Sequence, residues 1–556
     1  MNEIDVKLTG GETISCPEGT IVGTLTGSPD NNSGLPYLGA LVNNNVSSLS
    51  YPLPVNCEVE FLTMSDPHGW RIYVRSLCFL LAKTVRELFP AAVFKIEHSF
   101  GPGLYCSFRH RGDEQRALSK EELKTVEERM RELVRRNMPI ERRKLSFAEG
   151  IAKFEESGQS DKLNLLRFRN PPHIVVHWCE NFYDLAHGPL APATGALSRF
   201  ELLHYTDGFV LHYPQRENPG RMEPFRDQPH LFNIFKEHKE WGRILGVNTV
   251  GKLNEITARG DIAGFVDIAE ALHEKKIARI AEQIASSSDS VRLILVAGPS
   301  SAGKTTFAKR LTTHLTVNGI RPVTIATDDY FVGEKDNPLD ENGRPDYEHI
   351  DAVDLGLFNN NLLKLIQGES VKVPRFNFAV RQREYDGSTL KMDRDQMIII
   401  EGIHGLNPEL TRDIPPECEF RIYVSALTQL SLDSNNRIST TDNRLMRRMV
   451  RDSKFRGYSP VETLRMWPSV RRGEKRWIFP FQQNAHATFN SALDYELAVL
   501  KPYVDPLLMH VKPTHREYAE ARRLSEFLLH FLNAPDNAVP GTSILREYIG
   551  NSHFKY

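Results

Sequence analysis

The sequence predicts an α/β fold in which a mostly parallel sheet follows a small β-rich module and an α+β domain. From residue 291 onward, helix-like stretches separate the short apolar segments VRLILVA, PVTIAT, QMIIIEG and FRIYVSA. Apolar strands that alternate with helices are typical of a parallel sheet covered on both faces. Residues 1–64 instead carry short strands such as IDVKL and VEFLTM, and residues 65–220 mix helical and strand periodicity.

Length and composition exclude several classes of protein. The 556 residues are enough for several domains. With 40% hydrophobic residues, 25% charged residues and a net charge of −2, the chain is not built mainly to coat nucleic acid. No apolar run approaches the roughly 18 residues of a membrane span, and the polar start MNEIDVKLTGGETI does not predict a signal peptide. Six scattered cysteines without a CxxC pair favour reduced thiols and a cytoplasmic location.

Helices and strands can be placed along the N-terminal half. A stripe of leucines from Leu77 to Leu88 predicts one helix, and the capping-box pattern of Ser119 and Glu122 begins a second. HIVVHW and GFVLHY are predicted strands, and a stretch rich in Pro and Gly then marks a boundary. The predicted domains are 1–64, 65–220, a helical linker at 221–289, an α/β domain at 290–510 and a helical tail at 511–556.

Residues 298–305, GPSSAGKT, fit the phosphate-binding pattern GxxxxGK[ST]. The predicted strand RLILVA precedes this P-loop and the predicted helix TTFAKRLTTHL follows it, so the signal is strong. Backbone N–H groups would surround the phosphates, Lys304 would neutralise their oxygens, and the Thr305 hydroxyl would bind Mg²⁺. The predicted nucleotide-binding residues here are Gly298, Ser300, Ser301, Ala302, Gly303, Lys304, Thr305 and Thr306.

Acidic residues follow two of the predicted strands. Asp328 and Asp329 come directly after PVTIAT, and Glu401 ends MIIIE. The carboxyl ends of parallel strands are where ligands bind in such sheets. A carboxylate there can accept the proton of an attacking hydroxyl or help to hold Mg²⁺; a solvated turn or a helix cap is the alternative. His404 is at least as compatible with a packed or surface histidine as with a catalytic one.

A basic helix is predicted around residues 443–456. Arg444, Arg448 and Arg451 share one face by their spacing, while Leu445, Met449 and Asp452 are expected on another. Arginines over a transferring phosphoryl group stabilise its oxygens and exclude water, so a closing lid is the favoured interpretation. A solvated face and a nucleic-acid-binding patch are the alternatives.

The motifs GPSSAGKTT, TDDYF, DYEHIDAVD (346–354), VPRFNF (373–378), IIIEGI and RLMRRMVRD resemble, in this order, the uridine kinase–phosphoribulokinase family of P-loop kinases. The resemblance implies that Asp328 is the general base and that ATP is the phosphate donor. It also implies that Asp328, Thr305 and Glu401 lie at Mg²⁺. It also implies phosphate and ligand contacts for the lid arginines Arg448, Arg451 and Arg456. Catalytic roles are thus expected for Lys304, Asp328, Arg448 and Arg451.

The acceptor pocket is also suggested by this resemblance, but with departures. Glu348 aligns with an acid that binds ribose hydroxyls in nucleoside kinases, where Asp is usual. The Tyr and His with which uridine–cytidine kinases read the pyrimidine fall on Phe376 and Arg381, and a lid arginine becomes Tyr458. A pocket that loses such groups need not select the same base. The expected substrate-binding residues are Asp328, Tyr330, Glu348, Phe376, Arg381 and Arg448.

The N-terminal half resembles other proteins. Residues 1–64 look like the small TGS module, which has a β-grasp fold. Residues 65–220 resemble the second N-terminal domain of threonyl-tRNA synthetase through GWRIYVRSLCFLLAKTVRELFP, FGPGLYCSF and NFYDLAHGPLAP. The synthetase's HxxxH pair falls on Arg75 and Phe79, and its Cys/His pair falls on Ala186 and Leu190. Editing and metal chemistry are therefore not expected there, and His187 is interpreted as structural.

The chain is accordingly interpreted as an ATP- and Mg²⁺-dependent kinase whose acceptor is the 5′-hydroxyl of a nucleoside such as uridine or cytidine. One alternative is an RNA-associated NTPase or regulator that uses the synthetase-like half as a binding module. Another is a kinase for a different hydroxylated metabolite. No membrane partner is expected, and a homo-oligomer is compatible with the family resemblance.

Overall fold

The computed structural model describes residues 2–9, 11–27, 34–112, 116–341, 343–377, 380–393 and 396–556. Phe378, the last residue of the VPRFNF motif, lies outside the described residues. Among those described, no helix combines the length and the apolar character needed to cross a membrane. All six cysteines carry free thiols.

The chain begins with a five-stranded mixed sheet in the order β2-β1-β5-β3-β4. Its strands are β1 (Glu3–Leu8), β2 (Thr13–Pro17), β3 (Gly39–Val42), β4 (Asn45–Ser47) and β5 (Cys57–Leu62). Strands β1 and β5 are parallel, whereas the other pairs are antiparallel. Ile4 and Val6 alternate with exposed residues and fill a small core, so this is the β-grasp-like module of the predicted fold class.

The α+β domain consists of two antiparallel sheets with helices packed against them. Its elements are α1 (Pro67–Leu88), β6 (Val93–Phe100), β7 (Gly103–Arg109), α2 (Lys120–Arg136), β8 (Glu141–Ser146), α3 (Phe147–Glu156), α4 (Ser160–Leu166), β9 (His173–Cys179), β10 (Phe182–Leu185), β11 (Glu201–Tyr205) and β12 (Gly208–His212). The sheets have the orders β11-β12-β7-β6 and β10-β9-β8. Ser119 and Glu122 form the predicted capping box at the start of α2.

Three helices connect this domain to the parallel sheet: α5 (Pro229–Leu245), α6 (Val250–Arg259) and α7 (Ile262–Ala285). Helix α7 leads towards the strand that precedes the P-loop. Ile277, Ile280 and Ile284 of α7 lie in the same hydrophobic core as the strands that follow. The segment at 221–289 therefore completes the α/β core as well as linking domains.

The central sheet is fully parallel, in the order β14-β19-β13-β20-β21. In chain order the elements of this part are β13 (Leu293–Ala297), α8 (Lys304–Val317), β14 (Val323–Ala326), α9 (Leu355–Ile366), β15 (Val371–Lys372), β16 (Arg375–Asn377), β17 (Gln382–Glu384), β18 (Thr389–Leu390), β19 (Ile398–Gly402), β20 (Glu419–Ser425), α10 (Thr440–Arg451), α11 (Pro460–Trp477), β21 (Ala487–Asn490) and α12 (Glu496–Met509). The four predicted apolar strands all lie in this sheet. The fifth, β21, was not predicted, because ATFN carries little apolar character.

The C-terminal segment is only partly the predicted helical tail. Helix α13 (Tyr518–Leu528) forms as expected, but SILREYIG contributes only the single turn α14 (Arg546–Ile549). The residues between them run as loops and turns back towards the P-loop. Ile544 and Leu545 are fully buried in the core of the parallel sheet, so the segment is an integral part of that core.

Buried ion pairs join the α+β domain to the parallel-sheet domain. Lys162 of α4 lies 2.6 Å from a carboxylate oxygen of Asp433, which follows β20, and 2.9 Å from one of Asp184 on β10. Each of these side chains is at most 3% exposed. Because a buried ion pair is costly to break by removing one partner, this network holds the two domains in one arrangement.

Candidate active site

The P-loop runs from the end of β13 to the start of α8 and has a backbone that few residue types tolerate. Ser301 and Gly303 have positive φ angles of 57° and 80°. A Cβ atom at Gly298 would lie 2.0 Å from the carbonyl oxygen of Val424 on β20, so only glycine fits against that strand. These constraints turn the backbone N–H groups at the start of α8 towards a common concave surface, as a phosphate site requires.

Helix α10 holds the P-loop from one side. The Arg444 guanidinium donates to the carbonyl oxygen of Ser300 at 3.0 Å, and Arg448 donates to the Ser300 hydroxyl at 2.8 Å. The Ser491 hydroxyl, after β21, donates to the carbonyl oxygen of Ala302 at 2.5 Å. The loop is therefore preorganised by side chains that lie far from it in the sequence.

Three acidic side chains from separate segments lie near enough to Lys304 for its charge to act on their pKa values. Burial raises the pKa of Asp328 above its ordinary value, and Lys304 opposes this effect. Burial raises the pKa of Glu401 to about 7, again against Lys304. Burial and the neighbouring Glu474 raise the pKa of Glu348 to about 7, while Arg448 and Lys304 act in the other direction. The structure thus brings the predicted base, the strand-end acid and the predicted ribose-binding acid to one place.

The residues at this place fit a magnesium ion. The Thr305 hydroxyl donates to a carboxylate oxygen of Glu401 at 2.9 Å, so the two predicted ligands are neighbours. Both offer hard oxygen donors, which Mg²⁺ prefers. In the described part of the chain no group of three or more His, Cys, Asp or Glu side chains forms a metal cage. Mg²⁺ commonly binds through one or two carboxylates together with substrate phosphates. The Glu401 carboxylate and the Thr305 hydroxyl agree with a site of this kind.

The arginines of α10 divide into two groups, whereas the sequence predicted that Arg444, Arg448 and Arg451 act together as one face of a lid. Arg444 is 1% exposed and bonds the buried Glu474 at 2.7 Å, so it is structural. Arg447 bonds Glu496 at 2.7 Å in the same way. The other three arginines of this region, Arg448, Arg451 and Arg456, face Asp452.

Asp452 was predicted on a different face from these arginines, and this prediction is wrong. Its buried carboxylate lies 3.0 Å from the Arg448 guanidinium, 2.8 Å from that of Arg451 and 3.8 Å from that of Arg456. Positions 448 and 452 are one helical turn apart, so they share a face. The chain then continues as a π-helical turn at Asp452–Arg456, a geometry that is frequent at functional sites.

Two of the predicted substrate-binding residues, Tyr330 and Phe376, are buried, whereas Arg381 is exposed. Tyr330 is fully buried, where its hydroxyl accepts from Asn361 at 3.2 Å, so it supports the site from the core. Phe376 is 4% exposed and packs edge-on against Phe331. Arg381 forms an ion pair with Glu334 and is half exposed.

His404 and Tyr458, which the sequence analysis also singled out, differ from each other in exposure. His404 is fully buried, and burial lowers its pKa to about 3, so it is a neutral core histidine near Trp477. Tyr458 is 42% exposed and lies just after the π-helical turn. It remains accessible to a ligand, whereas His404 does not.

Two contacts with the P-loop helix come from the C-terminal end of the chain and were missed by the sequence reasoning. Glu547 accepts from the backbone N–H of Thr306 at 3.3 Å and from its hydroxyl at 2.7 Å. The Tyr556 hydroxyl lies 2.8 Å from the same Thr306 oxygen. No local sequence pattern predicts these contacts, because they join residues that are about 240 positions apart in the chain.

The positions that correspond to the synthetase editing ligands form a largely apolar site. Phe79 and Leu190 are buried in one small cluster, against which Ala186 packs. The Arg75 guanidinium donates to the carbonyl oxygen of Pro189 at 2.8 Å. His187 lies 3.5 Å from Asp433, which agrees with a structural role at the domain junction.

Comparison with known proteins agrees with both resemblances. Residues 293–498 match the model of the Phosphoribulokinase / Uridine kinase family, which confirms the resemblance for this part of the chain. The N-terminal part is similar to threonine–tRNA ligases. That of a Geobacter species is 31% identical over 202 residues, which are 36% of this chain and 31% of the ligase. The Coxiella burnetii enzyme is 29% identical over 199 residues, 34% of this chain and 30% of the ligase. The chain thus spans about a third of the length of these relatives.

Two solved structures are similar to parts of this chain. A structure described as a possible uridine kinase from Bacillus stearothermophilus is 17% identical and covers 39% of this chain and 98% of its own, with a TM-score of 0.27. A D-glycerate 3-kinase from Cryptococcus neoformans is 16% identical and covers 49% of this chain and 87% of its own, with a TM-score of 0.20.

Proposed function

We propose that the parallel-sheet domain, within residues 290–510, transfers the γ-phosphoryl group of ATP to a hydroxyl of a small acceptor in the presence of Mg²⁺. The observation that carries this proposal is the convergence of Asp328, Glu348 and Glu401 on Lys304 beside the P-loop. The match of residues 293–498 to a family of kinases supports it.

Asp328 is the proposed general base. It lies at the carboxyl end of β14, and burial raises its pKa towards the range in which a carboxylate accepts protons effectively. Asp328 takes the proton from the attacking hydroxyl as the acceptor oxygen approaches phosphorus. Glu348, which approaches the same place from the loop before α9, is proposed to hydrogen-bond neighbouring hydroxyls of the acceptor and so to orient it.

The basic residues hold the transferring group. Lys304 neutralises phosphate oxygens, and Arg448 and Arg451 supply further positive charge from α10. Arg456 is proposed to contact the nucleotide from the π-helical turn. Thr305 and Glu401 would hold Mg²⁺, which when bound neutralises negative charge on the phosphate oxygens. Because Asp452 pairs with the arginines in the ligand-free arrangement, phosphate groups would compete with its carboxylate for them.

The 5′-hydroxyl of a nucleoside is the acceptor that we favour. In the nucleoside kinases that this chain resembles, the acid that aligns with Glu348 binds ribose hydroxyls. A second acceptor class, a non-nucleoside metabolite, is supported by the pocket itself. Phe376 is buried, and Arg381 is engaged with Glu334, so neither side chain is free to read a pyrimidine in this arrangement. The alternative of an RNA-associated NTPase is supported only by the synthetase-like half of the chain. For the kinase and for this alternative we propose a cytoplasmic location, with which the free thiols agree.

The decisive experiment measures phosphate transfer from ATP, with Mg²⁺, to a panel of nucleosides, sugars and polyols, with ATP hydrolysis followed in parallel. Transfer to uridine, cytidine or another nucleoside would support the favoured acceptor. Transfer only to sugars or other metabolites would replace it with the second class. No transfer to any acceptor, with hydrolysis that rises on addition of RNA, would overturn the kinase proposal.

A further inference from the structure

Helix α11 packs its backbone against the segment that carries Glu348. Gly473 is buried in this helix, and a Cβ atom there would lie 2.4 Å from the Cβ atom of Glu348 and 2.8 Å from its Cγ atom. Rotation of the Glu348 side chain cannot relieve the first contact, because a Cβ atom moves only with the backbone. A glycine inside a helix is less stable than an alanine, and here the close approach of Glu348 requires it.

Trp477 makes a second contact with the same segment, one helical turn after Gly473. Its ring and that of His349 have centroids 4.4 Å apart and meet at 65°. Residues four positions apart share one face of a helix, so this face of α11 contacts two consecutive residues, Glu348 and His349. Within the segment, a carboxylate oxygen of Asp346 accepts from the backbone N–H of Glu348 at 3.0 Å. The position of Glu348 therefore depends on α11 as well as on local hydrogen bonds.

The next residue of α11, Glu474, fixes this helix relative to the P-loop. Its buried carboxylate accepts from Arg444 at 2.7 Å and from Arg471 at 2.8 Å. Arg444 also donates to the carbonyl oxygen of Ser300, in the P-loop, at 3.0 Å. A shift of the helix would break these buried charge pairs, which is costly. Consecutive residues of α11 thus contact Glu348 directly and the phosphate-binding loop through Arg444.

We propose that Gly473 is a positioning residue for phosphoryl transfer, because the bare helix backbone at this position fixes the distance between Glu348 and the P-loop. This inference rests on the proposed function, in which Glu348 hydrogen-bonds hydroxyls of the acceptor. A misplacement of reacting groups by about 1 Å can lower the rate about 10²-fold. Gly473 has no side chain with which to bind the acceptor, so its effect passes through Glu348.

The test is the steady-state kinetics of the full-length Gly473→Ala variant with ATP, Mg²⁺ and uridine. If uridine does not react with the wild type, the fastest-reacting member of the acceptor panel replaces it. We expect kcat/KM for the acceptor to fall about tenfold to 10²-fold, because Glu348 is displaced from its hydroxyls. The KM for ATP should change less than about twofold, since the P-loop contacts stay in place.

Gly242→Ala is the matched control, because Gly242 is also a buried helical glycine. Among the described atoms, a Cβ atom there would approach only the carbonyl oxygen of Val247, at an ordinary 3.6 Å. This variant should keep wild-type kinetics. If the wild type is active and Gly473→Ala matches it for the acceptor, the positioning role is overturned and the proposed function stands. If the wild type transfers phosphate to no acceptor, the proposed function is overturned and this inference with it.

A double variant shows whether the effect passes through Glu348. Glu348→Gly removes the three side-chain atoms that an alanine at position 473 would approach most closely. Adding Gly473→Ala to Glu348→Gly should therefore leave kcat/KM for the acceptor as it is in Glu348→Gly alone. A further loss as large as the one in the wild-type background would show that the two positions act independently, and would contradict the positioning role.

Trp477→Phe tests the same face of α11 and remains informative if Gly473→Ala does not fold. The smaller ring loosens the contact with His349, next to Glu348, without overfilling the interface. The KM for the acceptor should rise at least about threefold while the KM for ATP stays unchanged. Trp241→Phe, at a partly buried tryptophan of α5, is the control. An acceptor KM that rises no more in Trp477→Phe than in this control would rule out the positioning role of α11.

Discussion

The carboxylate of Glu547 accepts hydrogen bonds from the backbone N–H of Thr306, at 3.3 Å, and from its hydroxyl, at 2.7 Å. Thr306 is the third residue of α8, so its N–H is one of the four at a helix N-terminus that have no partner within the helix. Such groups attract phosphate. The C-terminal end of the chain therefore places a negative charge on a group that the P-loop would offer to a nucleotide.

Glu547→Gln should tighten ATP binding about three- to tenfold, because it removes an anion whose interaction with a helix N-terminus contributes about 0.3–2 kcal/mol. Fluorescence titration with a labelled ATP analogue measures the change. Glu282→Gln, on the exposed side of α7, is the control and should leave affinity unaltered. Weaker binding in the Glu547 variant would show that the carboxylate supports the nucleotide site and does not compete with nucleotide.

Asp328→Asn should lower turnover by about 10²–10⁴-fold while ATP affinity changes little, since general-base catalysis contributes on this scale. The neighbouring Asp329 is a matched control, because its carboxylate accepts from the backbone N–H of Phe376 at 3.3 Å and has a structural role. Steady-state kinetics with the best acceptor, together with ATP titration, measure both variants. If Asp329→Asn loses more activity than Asp328→Asn, the assignment of the base is wrong.

Glu401→Gln should stabilise the ligand-free protein more at pH 8 than at pH 5. Burial raises the pKa of Glu401 to about 7 from its ordinary value of 4.5, so the folded chain holds this proton more tightly than the unfolded chain. Its contribution to stability is complete below about pH 4.5 and is lost as the pH rises through 7. Glutamine does not titrate and avoids that loss.

The measurement is the difference in Tm between the Glu401→Gln variant and the wild type, by calorimetry at both pH values. Taking this difference cancels the titration of the buried histidines. Glu409→Gln, on an exposed turn, is the control for the substitution itself. A difference in Tm that is flat or shrinks with rising pH would contradict the prediction.

Arg444→Met should destabilise the protein by about 3 kcal/mol, because it leaves the buried Glu474 with only one of its two guanidinium partners. The remaining partner is Arg471, which bonds Glu474 at 2.8 Å. Denaturant unfolding measures the loss, and the double variant Arg444→Met/Glu474→Gln should recover part of it. If the double variant is as unstable as the sum of the two single variants, the two residues are not coupled.

Local patterns predicted the parts of the site that are close in sequence. The glycines and Lys304 of the P-loop, the acids that end β14 and β19, and the helix that carries Arg448 all follow from strand and helix periodicity. The capping box at Ser119 was predicted for the same reason, because its two hydrogen bonds span three residues.

The errors concern residues whose environment is set by distant segments. Tyr330 was expected at the substrate from the resemblance of the TDDYF motif, but it is buried and contacts Asn361 and Phe358 of α9. Arg444 shares its helical face with Arg448, but it is buried in an ion pair with Glu474 of α11. Strand β21 was missed, because its position in the sheet depends on pairing with β20 more than on its own composition.

The sequence by itself determined the parallel sheet, the P-loop and the acids at the strand ends, because apolar periodicity and loop geometry are encoded within a few consecutive residues. The tertiary structure decided which arginines face the site, that Glu547 accepts hydrogen bonds from Thr306, and that Lys162 pairs with Asp433 between the domains. The physical reason is that burial and charge pairing depend on segments more than a hundred residues apart, and no local pattern specifies which segments will meet.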